Sequence, residues 1–252
     1  MRLIVQSRAG ITRVDHPNVA LAQGFDSYRK QVRRRGGEAM AAMREAFGGI
    51  HVMLTFGPSE SFLNAREASL EVTLDGLLPA FVDGMLQEAQ ECTITDAYEG
   101  SYGDRRAEQF RDAAWTIRYE AANLSTMPQA FLDRMQVGFG IWPAGGEAAS
   151  SSTAVALTDA RDVITNHHTP DELTHALNFA LEHSDGTVWL YGEGTNWFEV
   201  SQAYLDAIRN AKDLHDYRFQ PEARPDKGEG GWKRVKLFAP DSRRGPAREA
   251  LP

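Results

Sequence analysis

Apolar positions follow a helical period and a strand period in turn along the chain. From Phe25, the residues Tyr28, Val32, Ala39, Met40, Met43 and Phe47 recur at three- and four-residue spacing. This predicts a helix with one apolar stripe, ended by Gly48-Gly49. Ile50-His51-Val52-Met53-Leu54-Thr55-Phe56-Gly57 is mostly apolar and bounded by glycine, which predicts a strand buried on both faces. A polar loop with Ser59, Glu60, Ser61 and Asn64 is expected over 58–69. A helix is expected from Leu70 to Ala89, burying Leu74, Leu77, Leu78, Phe81, Val82, Met85 and Leu86. A strand follows around Ile94. Asp104 is placed to cap the next helix, whose inner side is Phe110, Ala113, Ala114, Ile117 and Ala121. A short helix near Pro128 to Arg134 leads into a strand at 136–143. There Gly138 and Gly140 suggest close approach by another backbone. Thr169-Pro170-Asp171-Glu172 reads as a capping box before the stripe Leu173, Ala176, Leu177, Ala180 and Leu181. A strand over 187–191 and a last helix capped by Ser201, with Tyr204, Leu205 and Ile208 inward, complete the pattern.

Strand, loop and helix thus recur, with strands starting near residues 50, 92, 135 and 187. The alternation predicts an α/β fold with a parallel sheet and helical crossovers. Its extent corresponds to a partial, incomplete TIM-barrel-like (β/α) fold. Residues 1–24 read as an irregular N-terminal segment, with a strand at 2–6 and loop from 7 onward. Residues 25–220 read as the barrel-like domain and 221–252 as a polar C-terminal tail, extended and rich in Pro, Gly and charge. Residues 145–152 read as a flexible loop, and 153–168 show no assignable period.

Charge and cysteine count narrow the chemistry. The 252 residues carry a net charge of −8, which disfavours nucleic acid and anionic membranes as partners. Cys92 is the only cysteine, so an internal disulfide and a Cys-based metal site are excluded. It reads as a small buried hydrophobe. No apolar stretch of about 18 residues occurs, and the first residues hold too short an apolar run for a secretory signal. The cytoplasm is the expected compartment. No cofactor or metal is expected. There is no Gly-x-Gly-x-x-Gly fingerprint, P-loop or Gly-x-Ser-x-Gly elbow. His167-His168 reads as loop or cap, and His175 and His183 lack a carboxylate pattern. Arg33-Arg34-Arg35 reads as a solvated helix face, with a phosphate patch as the alternative.

Two stretches share a design that points to a site. Residues 92–103 and 187–197 each begin as a strand and end in a Gly-rich turn with acids and aromatics. In α/β folds the chemistry gathers at such strand ends. Glycoside hydrolysis needs two carboxyl groups, about 5 Å apart for retention and further apart for inversion. Glu99 and Glu193 are the candidate catalytic pair, Glu99 as acid/base. Asp96 precedes Glu99 by three residues, on the opposite face of an extended segment. Asp96, Tyr98, Tyr102, Trp142, Tyr191 and Trp197 are the candidate substrate-binding residues, because sugar rings present apolar C–H faces to aromatic walls. The competing readings are polar loop acids and aromatics that cap a core. Trp189, in mid-strand, reads as core.

An ordered set of motifs adds a resemblance. Arg33-Arg34-Arg35-Gly36-Gly37, Leu54-Thr55-Phe56-Gly57, Leu77-Leu78-Pro79-Ala80-Phe81-Val82-Asp83-Gly84, Asp96-Ala97-Tyr98-Glu99-Gly100-Ser101-Tyr102, Phe139-Gly140-Ile141-Trp142 and Val188-Trp189-Leu190-Tyr191-Gly192-Glu193 occur in that order. Together they resemble a group of largely uncharacterised bacterial proteins with a glycoside-hydrolase-like TIM barrel, over roughly residues 25–212. The resemblance implies a carbohydrate-active protein, and a carbohydrate as partner. The matched part corresponds to the later half of that barrel. In the group, an earlier strand ends in an acidic motif; here the residues before Phe25 hold Asp15 and no comparable pattern. The expectation is therefore a barrel lacking its first strands: a fragment, a truncated frame, or a half-barrel completed by a partner such as a second copy. A non-catalytic carbohydrate-binding protein is the alternative function.

Overall fold

The computed structural model describes residues 2–7, 10–15, 24–145, 163–164, 166–192 and 197–218. For 2–7, 10–15, 197 and 214–218 it describes the backbone alone. The expected tail from 221, the loop over 146–152 and Glu193 lie outside the described residues.

Strands β1 (Arg2–Ser7) and β2 (Gly10–Asp15) form an antiparallel pair, Arg2 facing Asp15 and Ser7 facing Gly10. The stretch expected as loop from residue 7 thus contains a second strand, Gly10–Asp15. Strands β3 (His51–Leu54), β4 (Thr93–Tyr98), β5 (Met135–Ile141) and β6 (Thr187–Leu190) make one all-parallel sheet in that order. Between and after them run α1 (Phe25–Ala46), α2 (Pro58–Ala65), α3 (Leu78–Glu88), α4 (Ala107–Trp115), α5 (Pro128–Arg134), α6 (Pro170–His183) and α7 (Gln202–Arg218). The fold is α/β and partial barrel-like. No helix among the described residues is long and apolar enough to cross a membrane.

The chain divides into two compact units. The first holds the residues up to Asp96 together with Thr116–Gln136. Its core joins Met40 of α1, Val82, Met85 and Leu86 of α3, Cys92, Ile94 of β4, and Phe131 of α5. Cys92 is a free, buried thiol within this cluster. Helices α1 and α3 approach so closely that a Cβ on Gly36 would meet the Phe81 carbonyl, and one on Gly84 the Arg33 carbonyl. The crossing also splits the arginine run. Arg34 and Arg35 pair with Glu38 at the surface. Arg33 instead reaches the buried Asp83 carboxylate, which also accepts from Ser125 Oγ, from Thr126 N (2.9 Å) and from Thr126 Oγ1 (2.7 Å).

Three expectations for this unit are corrected. The polar stretch after Gly57 is helix α2, begun by Pro58 in its first turn, where a missing N–H costs nothing. The helix expected from Leu70 instead begins at Leu78. Pro79 sits in its first turn, and Leu74 is 70% exposed. Strand β3 is not buried on both faces: Val52 and Leu54 pack on the core, whereas His51 and Met53 lie on its open side. On that side His51 Nε2 lies 2.6 Å from Thr95 Oγ1.

The second unit holds Ala97–Trp115 and the residues from Val137 onward. Phe110 of α4 meets Phe139 of β5 edge to face, with ring centroids 5.3 Å apart. Helix α6 starts at the expected capping box: Thr169 Oγ1 accepts from Glu172 N, and Glu172 accepts from Thr169 N at 2.9 Å. The Thr169 N–H is the main cause holding the Glu172 carboxyl below its usual range, helped by Arg105. Helix α7 buries Tyr204, Ala207 and Ala211, while Leu205 and Ile208 are half-buried. The cap expected of Asp104 on α4 is replaced by a relay. Asp104 accepts from Gln109 Nε2 (2.8 Å), and Gln109 Oε1 accepts from the N–H groups of Arg105 and Arg106.

Candidate functional site

The second unit brings four aromatic rings together at and just beyond the ends of its strands. Strand β4 stops at Tyr98, and the backbone tightens into a single turn over Glu99–Ser101. That turn is anchored by Ser101 Oγ, which lies 2.9 Å from the Gly140 carbonyl. The Trp142 N–H donates to the Tyr102 carbonyl (3.1 Å), and the Tyr191 N–H donates to the Ile141 carbonyl (2.9 Å). These bonds hold the segments after β4, β5 and β6 in register.

Tyr102 is the hub of the cluster. Its ring stacks on Tyr191 at 5.1 Å and meets Trp142 (5.9 Å) and Trp189 (5.5 Å) edge on. Trp142 and Tyr191 are themselves edge to face at 5.0 Å. Offset-stacked and T-shaped pairs of this kind are the favourable geometries of aromatic quadrupoles. Gly140 makes the room: a Cβ there would strike the Tyr102 and Trp189 rings. The close approach expected at this glycine is therefore by side chains, not by a backbone.

All four aromatics are half-buried, so they combine packing with exposed surface. Trp189 is part of this cluster rather than a core residue. Its register partner is Gly140, and its Nε1 donates to the Ala97 carbonyl at 3.2 Å. Trp142 Nε1 is buried and has no hydrogen-bond partner among the described residues.

Glu99 borders the cluster as a half-buried carboxylate. Burial raises the Tyr102 hydroxyl above its ordinary range, and the neighbouring Glu99 carboxylate adds to the effect. Tyr102 therefore remains a neutral hydrogen-bond donor beside an acceptor.

The other candidates fall in different places. Tyr98 folds over Gly100, whose Cβ would meet the Tyr98 ring. Asp96 belongs to the first unit, where it is fully buried and accepts from Ser59 N at 3.0 Å in the first turn of α2. Burial pushes its carboxyl up from 3.8 to about 6 against the lowering effect of that N–H, and Glu60 adds to the rise. Its place is beneath a helix end, not on an open surface. Glu193 and the Trp197 side chain lie outside the described residues. The backbone of Trp197 is in a short turn, Trp197–Glu199, where Phe198 is fully exposed.

His168, expected as loop or cap, is a buried residue of the loop before α6. His168 is 0% exposed; its N–H donates to the Pro143 carbonyl (3.0 Å), and its carbonyl accepts from Tyr204 Oη (2.6 Å). Its Nε2 lies 3.2 Å from the Asp104 carbonyl. Burial lowers its pKa to about 4, so the ring is neutral. It ties the loop before α6 to the segment after β5, which no local spacing announces. An open groove of about 440 Å³ lies on α6 and α7, lined by Asp171, Thr174, His175, Asn210 and Asp213. It has no aromatic wall and no strand end. Among the described residues, no group of three or more His, Cys, Asp or Glu side chains is placed to hold a metal ion.

Comparison of the chain with protein-family models, with curated proteins and with solved structures gives no match.

Proposed function

We propose that the strand ends of the second unit form a carbohydrate site, glycoside-hydrolase-like, in which the aromatic cluster binds a glycan and Glu99 acts as acid/base. One observation carries this reading: Tyr102, Trp142, Trp189 and Tyr191 gather on a single partly exposed surface with a carboxylate at its border. Ring faces accept the C–H faces of sugars. The Tyr102 hydroxyl and Glu99 supply the polar contacts that fix hydroxyl groups.

Hydrolysis further needs a second carboxyl group across the scissile bond, the role assigned here to Glu193. Glu99 would protonate the leaving oxygen as acid and then, as carboxylate, activate water. The resemblance of the ordered motifs to those of glycoside-hydrolase-like barrels points the same way. A carbohydrate-binding protein without turnover is the second reading, favoured by a cluster that is complete with Glu99 as its one described carboxylate.

The test is turnover of a panel of oligosaccharides and aryl glycosides. Glu99→Gln should lower kcat by roughly 100-fold or more, in the range of lost general acid–base catalysis, while the melting temperature is kept. Unchanged kcat would remove Glu99 from the chemistry. Glycan binding by the wild-type chain with no turnover on any glycoside would establish the binding reading instead.

A further inference from the structure

Strand β4 ends at Tyr98, and a three-residue turn, Glu99–Ser101, separates it from Tyr102. The Tyr102 N–H closes that turn on the Glu99 carbonyl (3.0 Å). A turn this short, past the end of its ladder, takes its placement from what it touches. Ser101 supplies that contact. It is 0% exposed, and its Oγ lies 2.8 Å from the Tyr98 carbonyl and 2.9 Å from the Gly140 carbonyl. Neither carbonyl can donate, so the single hydroxyl proton serves both. One side chain thereby ties the last residue of β4 to β5 across the turn that carries Glu99. A second link, from the Trp142 N–H to the Tyr102 carbonyl (3.1 Å), lies beyond the turn. Gly100 closes the turn from its other side, where a Cβ would strike the Tyr98 ring.

We infer that Ser101 is a positioning residue, which fixes the backbone of Glu99 for proton transfer. The inference rests on the acid/base role proposed for Glu99 above and deepens it. As acid, Glu99 gives its proton to the leaving oxygen as the C–O bond breaks, and both electrons of that bond stay with the oxygen. Such a transfer tolerates little displacement of the carboxyl group: a shift of about 1 Å can cost about 100-fold. Without its hydroxyl, position 101 leaves the Tyr98 and Gly140 carbonyls without this donor. The turn is then free to shift against β5, and Glu99 shifts with it.

The experiment measures kcat/KM of the full chain on two kinds of glycoside, one with a poor leaving group (an alkyl alcohol) and one with a good one (dinitrophenol). A good leaving group departs without protonation and does not need the acid. Ser101→Ala should lower kcat/KM on the alkyl glycosides by roughly tenfold or more. It should keep kcat/KM on the dinitrophenyl glycosides and still melt cooperatively. Glu99→Gln should show the same split more strongly. Ser101→Cys, whose thiol is a weak donor of similar size, should fall between wild type and Ser101→Ala. It carries the comparison if the alanine variant does not fold. A general loss of structure would lower both kinds alike. Equal losses on the two kinds, or no loss on either, beside a clear split in Glu99→Gln, overturn the positioning inference and leave the role of Glu99 standing. No split in Glu99→Gln removes the acid role and the inference with it, as does absence of turnover by the wild type on every glycoside.

Discussion

Asp83→Ala should destabilise the protein by about 3–5 kcal/mol in urea unfolding, the largest single effect expected outside the aromatic site. Asp83 is about 1% exposed and has four donors: the Arg33 guanidinium, Ser125 Oγ, Thr126 N and Thr126 Oγ1. Removing the carboxylate strands a half-buried guanidinium and three further donors. The pair sits at a close helix crossing, where a Cβ on Gly36 would meet the Phe81 carbonyl and one on Gly84 the Arg33 carbonyl. Asp83→Asn keeps one acceptor oxygen and should cost less. A loss below about 1 kcal/mol for Asp83→Ala would mean the network contributes no more than an exposed ion pair.

The second large effect depends on pH. Asp96 titrates near 6 in the fold and near 3.8 when unfolded, because burial penalises its charge. The unfolded chain therefore releases this proton first. Its stabilising contribution is present below the unfolded value and is lost as pH rises through about 6. The displacement corresponds to about 3 kcal/mol across that window. His168 works in the opposite direction. Burial holds its folded pKa at about 4 from 6.5, so its contribution is present above 6.5 and fades as pH falls toward 4. The two partly cancel in the wild-type profile, which makes the difference between wild type and Asp96→Asn the informative quantity. The Asn side-chain carbonyl can still accept from Ser59 N without carrying a charge. The variant should be more stable than wild type above pH 7, by up to about 3 kcal/mol, and the advantage should disappear toward pH 4. Parallel profiles would show that Asp96 is not penalised by burial.

Both effects come from contacts that sequence spacing does not reveal. The three arginines at 33–35 look alike in the chain, and only the α1–α3 crossing sends one inward and two outward. The Arg33–Asp83 pair spans fifty positions, beyond any local pattern. Local rules did better where the physics is local. The capping box at Thr169 is present as read, because it needs only four neighbouring residues. The start of α3 was misread at Leu70 although its cue is local: Pro79 fits a first turn but not the interior of a helix running from Leu70. Pro58 was likewise misread: the proline after glycine opens helix α2 where a loop was expected.

For the candidate site, strand-end position was enough to group Tyr102, Trp142 and Tyr191. It was not enough for Trp189, whose mid-strand place suggested core. Only the register that sets it against Gly140 turns its ring into the cluster. Asp96 and Glu99, three positions apart, lie in different compact units because the division of the chain falls between Asp96 and Ala97. Sequence proximity grouped them; the fold gives one to a helix end and the other to the aromatic surface.

The most direct test of the proposed carbohydrate site is an oligosaccharide titration followed by tryptophan fluorescence, comparing wild type with Trp142→Ala. The account predicts a saturable spectral change in the wild type and its loss in a variant that still melts cooperatively. No saturable change with any oligosaccharide, or equal binding by Trp142→Ala, would contradict it.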